Sequence, residues 1–260
     1  MATPHHPQRD KWISPRDRIE GARIRLFCLP HAGSGAVTYQ SWKKELPPFV
    51  EICALRLPGR ESRLSEKALS DSGTLSKDIA EVVAGECDLP YAIFGHSMGA
   101  LLAYELAMNL RDKGISPPEG LFLSGRIGAH VALRTSPLHE LPLDEFLSEL
   151  EVRYGALPKE LLEDREMLDF YLPILRTDIK LVETYRCQMR DPLVCPIYVT
   201  AGEDDRSVWI EGLSAWKQHT TSDFDLTMFH GGHFYLSGVS RKPFMEQLST
   251  RLSAIAIGCK

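Results

Sequence analysis

Tyr91-Ala92-Ile93-Phe94-Gly95-His96-Ser97-Met98-Gly99-Ala100-Leu101-Leu102-Ala103-Tyr104-Glu105-Leu106 is the stretch whose reading decides the fold. Its first four residues are short, apolar and strand-like. Its last residues open a helical pattern, with Leu102 and Leu106, and Leu110 beyond them, stacked at four-residue spacing. Between them Gly95-His96-Ser97-Met98-Gly99 matches G-x-S-x-G. The two glycines leave room for a sharp strand-to-helix turn and for close packing of the helix. Such a turn lifts a serine hydroxyl above the sheet edge, with a helix N-terminus behind it. A serine before a helix can also be a simple N-cap. The strand before, the helix after and the paired glycines favour Ser97 as a nucleophile.

Outward from this point, strands and helices alternate. Arg23–Leu29 and Val50–Leu57 read as strands, the second stopped by Pro58-Gly59, and Leu121–Leu123 as a further buried strand. Helical spacing is present near Tyr39–Leu46 and from Leu75 to Glu86. The sheet pattern resumes at Pro196–Ala201 and Phe224–Phe229. Helices are expected near Trp209–Gln218 and over Pro243–Ile255. This alternation predicts an α/β chain with a mostly parallel sheet and helices on both faces. Residues 126–190 break the pattern. They carry helical pieces at Leu143–Arg153, Lys159–Leu162 and Arg165–Met189, the last interrupted at Pro173, and no convincing strand. The chain therefore divides into a tail (1–20), a core (21–125 and 191–260) and a helical lid insertion (126–190).

Composition narrows the function. The chain has 260 residues, 43% hydrophobic and 25% charged, with a net charge of -5. That suits one globular unit with an insertion. No clustered basic run is present, which argues against nucleic acid as a partner. Six cysteines lie far apart with no CxxC or Cys/His spacing, so reduced thiols in a reducing compartment are expected. The polar N-terminus lacks a signal-peptide core, and no apolar run reaches the length of a membrane span. A cytoplasmic monomer without membrane association is the simplest expectation.

A serine nucleophile needs a base, and the base needs an orienting carboxylate. For a nucleophile on this kind of turn, the chain order is serine, acid, histidine. His233 follows Gly231-Gly232 after a strand, where the imidazole can project over the sheet edge. His230 still continues that strand and is the weaker choice. The acid lies in Gly202-Glu203-Asp204-Asp205, where three adjacent carboxylates leave the choice open. An oxyanion needs two convergent backbone N–H groups. Met98 supplies one as the residue after Ser97. Ala32, in the loop after the first strand, is the candidate for the other. His31 beside it reads as pocket wall.

Several motifs together resemble the type II thioesterases that accompany polyketide synthases and nonribosomal peptide synthetases. The chain is similar too to the medium-chain thioesterase partner of animal fatty acid synthase. The motifs are Leu29-Pro30-His31-Ala32-Gly33, Leu57-Pro58-Gly59-Arg60-Glu61-Ser62-Arg63, the Ser97 turn, Leu172-Pro173-Ile174-Leu175-Arg176-Thr177-Asp178 and Gly231-Gly232-His233-Phe234-Tyr235-Leu236. The resemblance spans about residues 23 to 252. It implies an α/β-hydrolase fold with a lid. It implies Asp205 as the acid, because the family's acid sits three residues after a strand-ending glycine, here Gly202. Two departures are visible: Arg206 stands where the family commonly has proline, and Ser34 follows Gly33 where a second glycine is common. The implied substrate is an acyl group on the phosphopantetheine arm of an acyl or peptidyl carrier protein, removed in editing or release. No metal or other cofactor is implied. His31, Arg60, Leu147, Phe170 and Leu175 are candidates to contact substrate, and Lys43, Lys44, Arg56, Arg60 and Arg63 to dock an acidic carrier. Rival readings are a carboxylesterase or lipase acting on oxygen esters, and a noncatalytic acyl-binding or docking module.

Overall fold

The computed structural model describes residues 7–14, 18–155 and 164–258. Seven strands form one sheet: β1 (Ile13–Ser14), β2 (Ile24–Leu29), β3 (Val50–Leu55), β4 (Tyr91–His96), β5 (Gly120–Ser124), β6 (Ile197–Gly202) and β7 (Phe224–Phe229). Their order is β1-β3-β2-β4-β5-β6-β7. β1 pairs antiparallel with β3, and all other neighbours pair parallel. The helices are α1 (Pro7–Trp12), α2 (Ser72–Ala84), α3 (Met98–Asp112), α4 (Leu143–Tyr154), α5 (Arg165–Thr184), α6 (Ile210–Ser214) and α7 (Arg241–Gly258).

Each of β2, β3 and β4 is buried along its whole length. That is the expected state of parallel strands covered on both faces. Along β2, Phe27 and Leu29 point into one core with Leu75 and Ile79 of α2 and Leu102 and Leu106 of α3. Ile24, Leu26 and Cys28 point into the other, with Tyr39, Trp42 and Phe244. The period-two alternation of side chains thus feeds two separate cores.

From β2 the chain moves to β3 on one side, then crosses back to β4 on the other. The carboxyl ends of β2 and β4 therefore flank a point where the winding direction reverses. Open α/β sheets leave a crevice at such a point. The His31–Ala32 loop and Ser97 lie at those two strand ends.

Several elements differ from the sequence expectation. The stretch near Tyr39–Leu46 is a 3-10 helix over Ala36–Lys44. The Trp209–Gln218 helix is the short α6 followed by a 3-10 turn to His219. Residues 7–14 lie within the stretch whose composition suggests a loose tail, yet they form α1 and β1. Trp12 and Ile13 are 6% and 0% exposed, Arg56 N donates to Trp12 O at 2.7 Å, and the Arg63 guanidinium sits 3.7 Å above the Trp12 ring. One apolar pair in a polar segment is enough to anchor it as an edge strand. The expected helical piece Lys159–Leu162 lies outside the described residues. Between β5 and β6 the described residues form α4 and α5, which share a third core of Leu138, Phe146, Leu150, Leu168, Leu172 and Ile179. The five described cysteines are free thiols. Among the described residues, no helix is long and apolar enough to cross a membrane.

A methyl group at Gly99 would press on the Leu29 carbonyl and sit 2.9 Å from Pro30 O. Backbone cannot yield there as a flexible side chain could. Gly99→Ala is expected to lower stability by about 3 kcal/mol or more. Urea unfolding checks this, and a midpoint unchanged from the parent would contradict the packing described.

Candidate active site

Ser97 joins β4 to α3 with φ 56° and ψ -115°, a positive φ that only one other described non-glycine residue, Glu61, shares. Such a conformation costs on the order of 1–3 kcal/mol and persists only where its surroundings over-determine it. Here they do. Ser97 N donates to Ser124 O at 2.8 Å, and Ser97 O accepts from Ala100 N at 3.1 Å. A Cβ at Gly95 would lie against the Gly99 carbonyl and 2.6 Å from Ala100 N. Ser97 is partly exposed while its neighbours on both sides are buried.

His233 and Asp205 come from the loops after β7 and β6. The two loops are tied to each other. Glu203 N donates to Phe229 O at 2.8 Å, and Asp204 N to Gly231 O at 2.9 Å. Asp205 turns inward and is 6% exposed, whereas Glu203 and Asp204 face solvent. His233 Nδ1 donates to Asp205 Oδ2 at 2.8 Å. The other carboxylate oxygen accepts from Ser207 N at 2.9 Å and Ser207 Oγ at 2.6 Å. Burial opposes ionisation of Asp205, but the hydrogen bond and charge of His233 and the donors of Ser207 outweigh it. They hold the carboxyl below its ordinary value. With Nδ1 committed to the carboxylate, Nε2 is the free nitrogen of the ring. His230, the alternative base, is exposed and lies 3.6 Å from Glu203.

Ser97 and His233 line one cavity with His31, Ala32, Leu175 and Arg126. No hydrogen bond joins Ser97 to His233 at rest. Such bonds are often long without substrate and tighten in the complex. Ala32 and Met98 donate their backbone N–H groups to no described residue. For Met98 this follows from its place in the first turn of α3, where N–H groups lack intrahelical partners. The next amide along, Gly33 N, is taken by Asp178 Oδ2 at 2.8 Å.

His31 packs edge-on against Phe234 and His96, with centroids 5.1 and 5.8 Å away. Burial, then the charges of His233 and Arg60, lower its pKa to about 4. Burial, then the charges of His233 and His31, push the His96 pKa well down too. Its Nδ1 meets Ser124 Oγ at 2.8 Å, which continues to Tyr235 and Thr200 at 2.7 Å each.

The expected substrate contacts divide. His31 and Leu175 line the cavity. Arg60 does not: it is 6% exposed and spends its guanidinium on Asp178 of α5, at 2.7 and 2.8 Å, and on Ser34 O at 2.9 Å. Leu147 packs against the core beneath α4 and α5. Phe170 is 57% exposed on α5 and off the cavity wall. Of the expected docking cations, Lys43 and Lys44 are exposed. Arg63 is buried on Glu66 and Trp12, and Arg56 lies 3.5 Å from Glu61. Sequence reasoning also missed residues. Ser207 stands two residues after Asp205, the spacing at which an aspartate bonds its own chain, and that spacing was the available signal. Tyr154, 4.9 Å from the His233 ring, left no signal. Arg126 stands with one residue between it and β5, a strand whose carboxyl end faces the crevice.

Comparison with known proteins accords with this geometry. A family model described as "Thioesterase domain" matches residues 24–253. The chain belongs to the thioesterase family. The thioesterase is 36% identical over 229 residues to the gramicidin S biosynthesis protein GrsT of Aneurinibacillus migulanus, covering 88% of this chain and 89% of that one. It is 31% identical to the medium-chain S-acyl fatty acid synthase thioesterase of Homo sapiens, covering 83% and 82%. It superposes with TM-score 0.85 at 35% identity on the type II thioesterase BorB from the borrelidin biosynthetic cluster, covering 94% and 98%. It is a hydrolase of the type II thioesterase kind, with the α/β-hydrolase fold.

Two outcomes test this geometry. Asp178→Asn leaves a buried Arg60 without its countercharge, so a loss of about 3 kcal/mol is expected in urea unfolding. A loss below 1 kcal/mol, on the order of an exposed pair, would contradict the clamp. The His31 imidazole should titrate near 4, against 6.5 for the free group. The folded value is the lower one. Its contribution is therefore intact above about 6.5 and lost as pH falls toward about 4. Proton NMR of the imidazole resonances checks the midpoint, and a value above 6 would show that His31 is solvated. In parallel, His31→Gln should lose less thermal stability than the parent on acidification.

Proposed function

We propose that Ser97, His233 and Asp205 act together to hydrolyse acyl thioesters through an acyl-enzyme. The observation that carries this is His233, bonded to the buried Asp205, lining the same cavity as a serine held on a strained strand-to-helix turn. His233 Nε2 takes the proton of Ser97 Oγ as the oxygen attacks the thioester carbonyl. Asp205 fixes the ring and offsets the charge it gains. The Ala32 and Met98 amides, free of other acceptors, donate to the oxyanion. The C–S bond breaks, and the thiol leaves with the proton returned by His233. Water then attacks the acyl-enzyme with the same base, and the acid is released with Ser97 restored.

The substrate in this reading is an acyl or peptidyl group on the phosphopantetheine arm of a carrier protein, removed by editing or release. GrsT and BorB, by their names, belong to gramicidin S and borrelidin biosynthesis, and their similarity supports this class. The α4–α5 insertion serves as the lid, since Leu150, Tyr154, Leu175 and Ile179 wall the cavity from that side. Lys43 and Lys44 remain the exposed cations for an acidic carrier.

The test pairs an acyl-pantetheine thioester with the matching oxygen ester. The thioester is expected to be hydrolysed with kcat/KM at least ~100-fold higher. Ser97→Ala should abolish both turnover and covalent capture of the acyl group. Preference for the oxygen ester would replace this reading with a carboxylesterase. Acyl capture by the Ser97→Ala variant would remove Ser97 as nucleophile.

A further inference from the structure

Arg126 has no role in the steps above, yet it lines the same cavity as Ser97 and His233. It follows Gly125 at the end of β5 and is 8% exposed. Its backbone is fixed, because its carbonyl accepts from Trp216 Nε1 at 2.8 Å. Among the described residues its side chain has no hydrogen-bond or ion-pair partner. Nε is buried with no acceptor. Among the described residues no carboxylate lies within ion-pair distance.

Other buried arginines show how unusual this is. Arg25 is paired with Glu51, Arg60 with Asp178 and Arg63 with Glu66. The titratable groups close enough to act on its charge are the phenols of Tyr154, which shares the cavity wall, and Tyr185. Tyr185 is engaged in turn, donating to Glu105 at 2.6 Å. Nearby acids are spent elsewhere. Glu183 accepts from the Leu138 and His139 amides, at 2.6 and 3.1 Å, and sits 2.6 Å from the His139 ring. Asp205 holds His233.

A guanidinium carries five donors and stays charged in proteins. Burying it without a countercharge is costly. The fold bears that cost at the wall of the cavity where the acyl chain would lie. The missing acceptor is therefore to be sought in the cavity's occupant.

We propose that Arg126 reads the charge of the acyl chain, favouring acyl groups that carry a carboxylate and disfavouring cationic aminoacyl groups. This rests on the reading that Ser97 attacks acyl thioesters. A carboxylate can meet the planar guanidinium with two parallel hydrogen bonds, and the surrounding apolar wall of Leu133, Leu150, Ile179 and Val182 strengthens that pairing. An ammonium in the same place meets a like charge in a poorly solvated space. A neutral branched chain fits the apolar wall but leaves the cation unanswered. The phosphate of the pantetheine arm is the other anion within a carrier substrate. We assign the acyl carboxylate because Arg126 sits among apolar wall residues rather than at an exposed basic surface.

The experiment measures kcat/KM for a glutaryl thioester, its neutral branched isostere and an ω-aminoacyl analogue of matched length. All three are presented on N-acetylcysteamine, which has no phosphate, and on the phosphopantetheine arm. The parent is expected to prefer glutaryl over the aminoacyl analogue by ~10-fold or more, with the neutral chain between. In Arg126→Met that ratio should collapse to within ~3-fold, and Arg126→Lys should restore most of it. The ratio is the readout, because a general loss of activity cancels from it. Fluorophosphonate labelling of Ser97 and the melting temperature report whether each variant is folded. If Arg126→Met does not fold, protection carries the test. Free glutarate should slow labelling of the parent more than the matching neutral diol does, and equal protection would overturn the proposal.

A ratio that survives in Arg126→Met, or equal losses on all three chains, would also overturn it. So would an effect confined to phosphopantetheine substrates whatever the acyl charge, which would assign the cation to the arm phosphate. Turnover of the neutral isostere separates the two readings. If the parent hydrolyses it without charge preference, only this inference fails. If the parent hydrolyses none of the thioesters, the thioesterase mechanism fails with it.

Discussion

The chain reversal at Ser97 is the constraint to which the rest of the site is fitted. β4 enters α3 so tightly that neither Gly95 nor Gly99 has space for a β-carbon, one against the helix backbone and the other against the carbonyl of Leu29. The second contact explains the position of the site. Because α3 begins against the end of β2, the loop leaving β2 must pass beside the serine. That loop carries His31 and Ala32. The amides proposed to receive the oxyanion are therefore neighbours through the same close packing that strains the serine. The strained serine, the loop after β2 and the helix N-terminus are one structural fact.

A loop rich in glycine would wander without restraint, and a clamp from two distant segments holds it. Asp178 on α5 accepts from Gly33 N and from both ends of the Arg60 fork, while Arg60 also bonds Ser34 O. Glu61 accepts from Val37 N at 2.9 Å. The segment after β3, the loop after β2 and the inserted helix are thus joined around one buried carboxylate. A buried ion pair gains little over an apolar replacement, but it punishes misregistration. Here it ties α5, which lines the cavity, to the loop that holds one of the proposed oxyanion amides. Any rocking of α5 has to carry that loop along or break the pair.

How much of this could be read from the chain follows the range of the interactions involved. The strand–turn–helix around Ser97 and the Gly231-Gly232 turn before His233 are local, so residue type and spacing exposed them. The parallel sheet followed from alternation along the chain. Choosing Asp205 among three acids needed a resemblance, because composition cannot tell which carboxylate turns inward; Asp205 is buried, and Glu203 and Asp204 are exposed. Arg60 was expected to contact substrate, since a signature arginine looks functional; its partner lies 118 residues away and could not be seen. Phe170 looked like a tunnel residue because aromatic residues usually bury, yet it faces out. The anchoring of Trp12-Ile13 failed to show for the opposite reason. Two apolar residues in a polar segment fall below any periodic signal, and only pairing with β3 gives them a place.

The histidines around His233 show what kind of medium the cavity is. His31 and His96 both pack near His233, with His96 at 4.8 Å between centroids, and desolvation keeps both neutral well into acid. The difference at His233 is Asp205, an ionised carboxylate at 2.8 Å with Ser207 satisfying its other oxygen. Low polarity weakens unpaired charges and strengthens paired ones alike. So a single carboxylate marks out, among neighbouring rings of the same chemistry, the one proposed to take the proton of Ser97. The same medium makes Arg126 significant. Where stray charge is expelled, a retained and unpaired cation biases what else can enter.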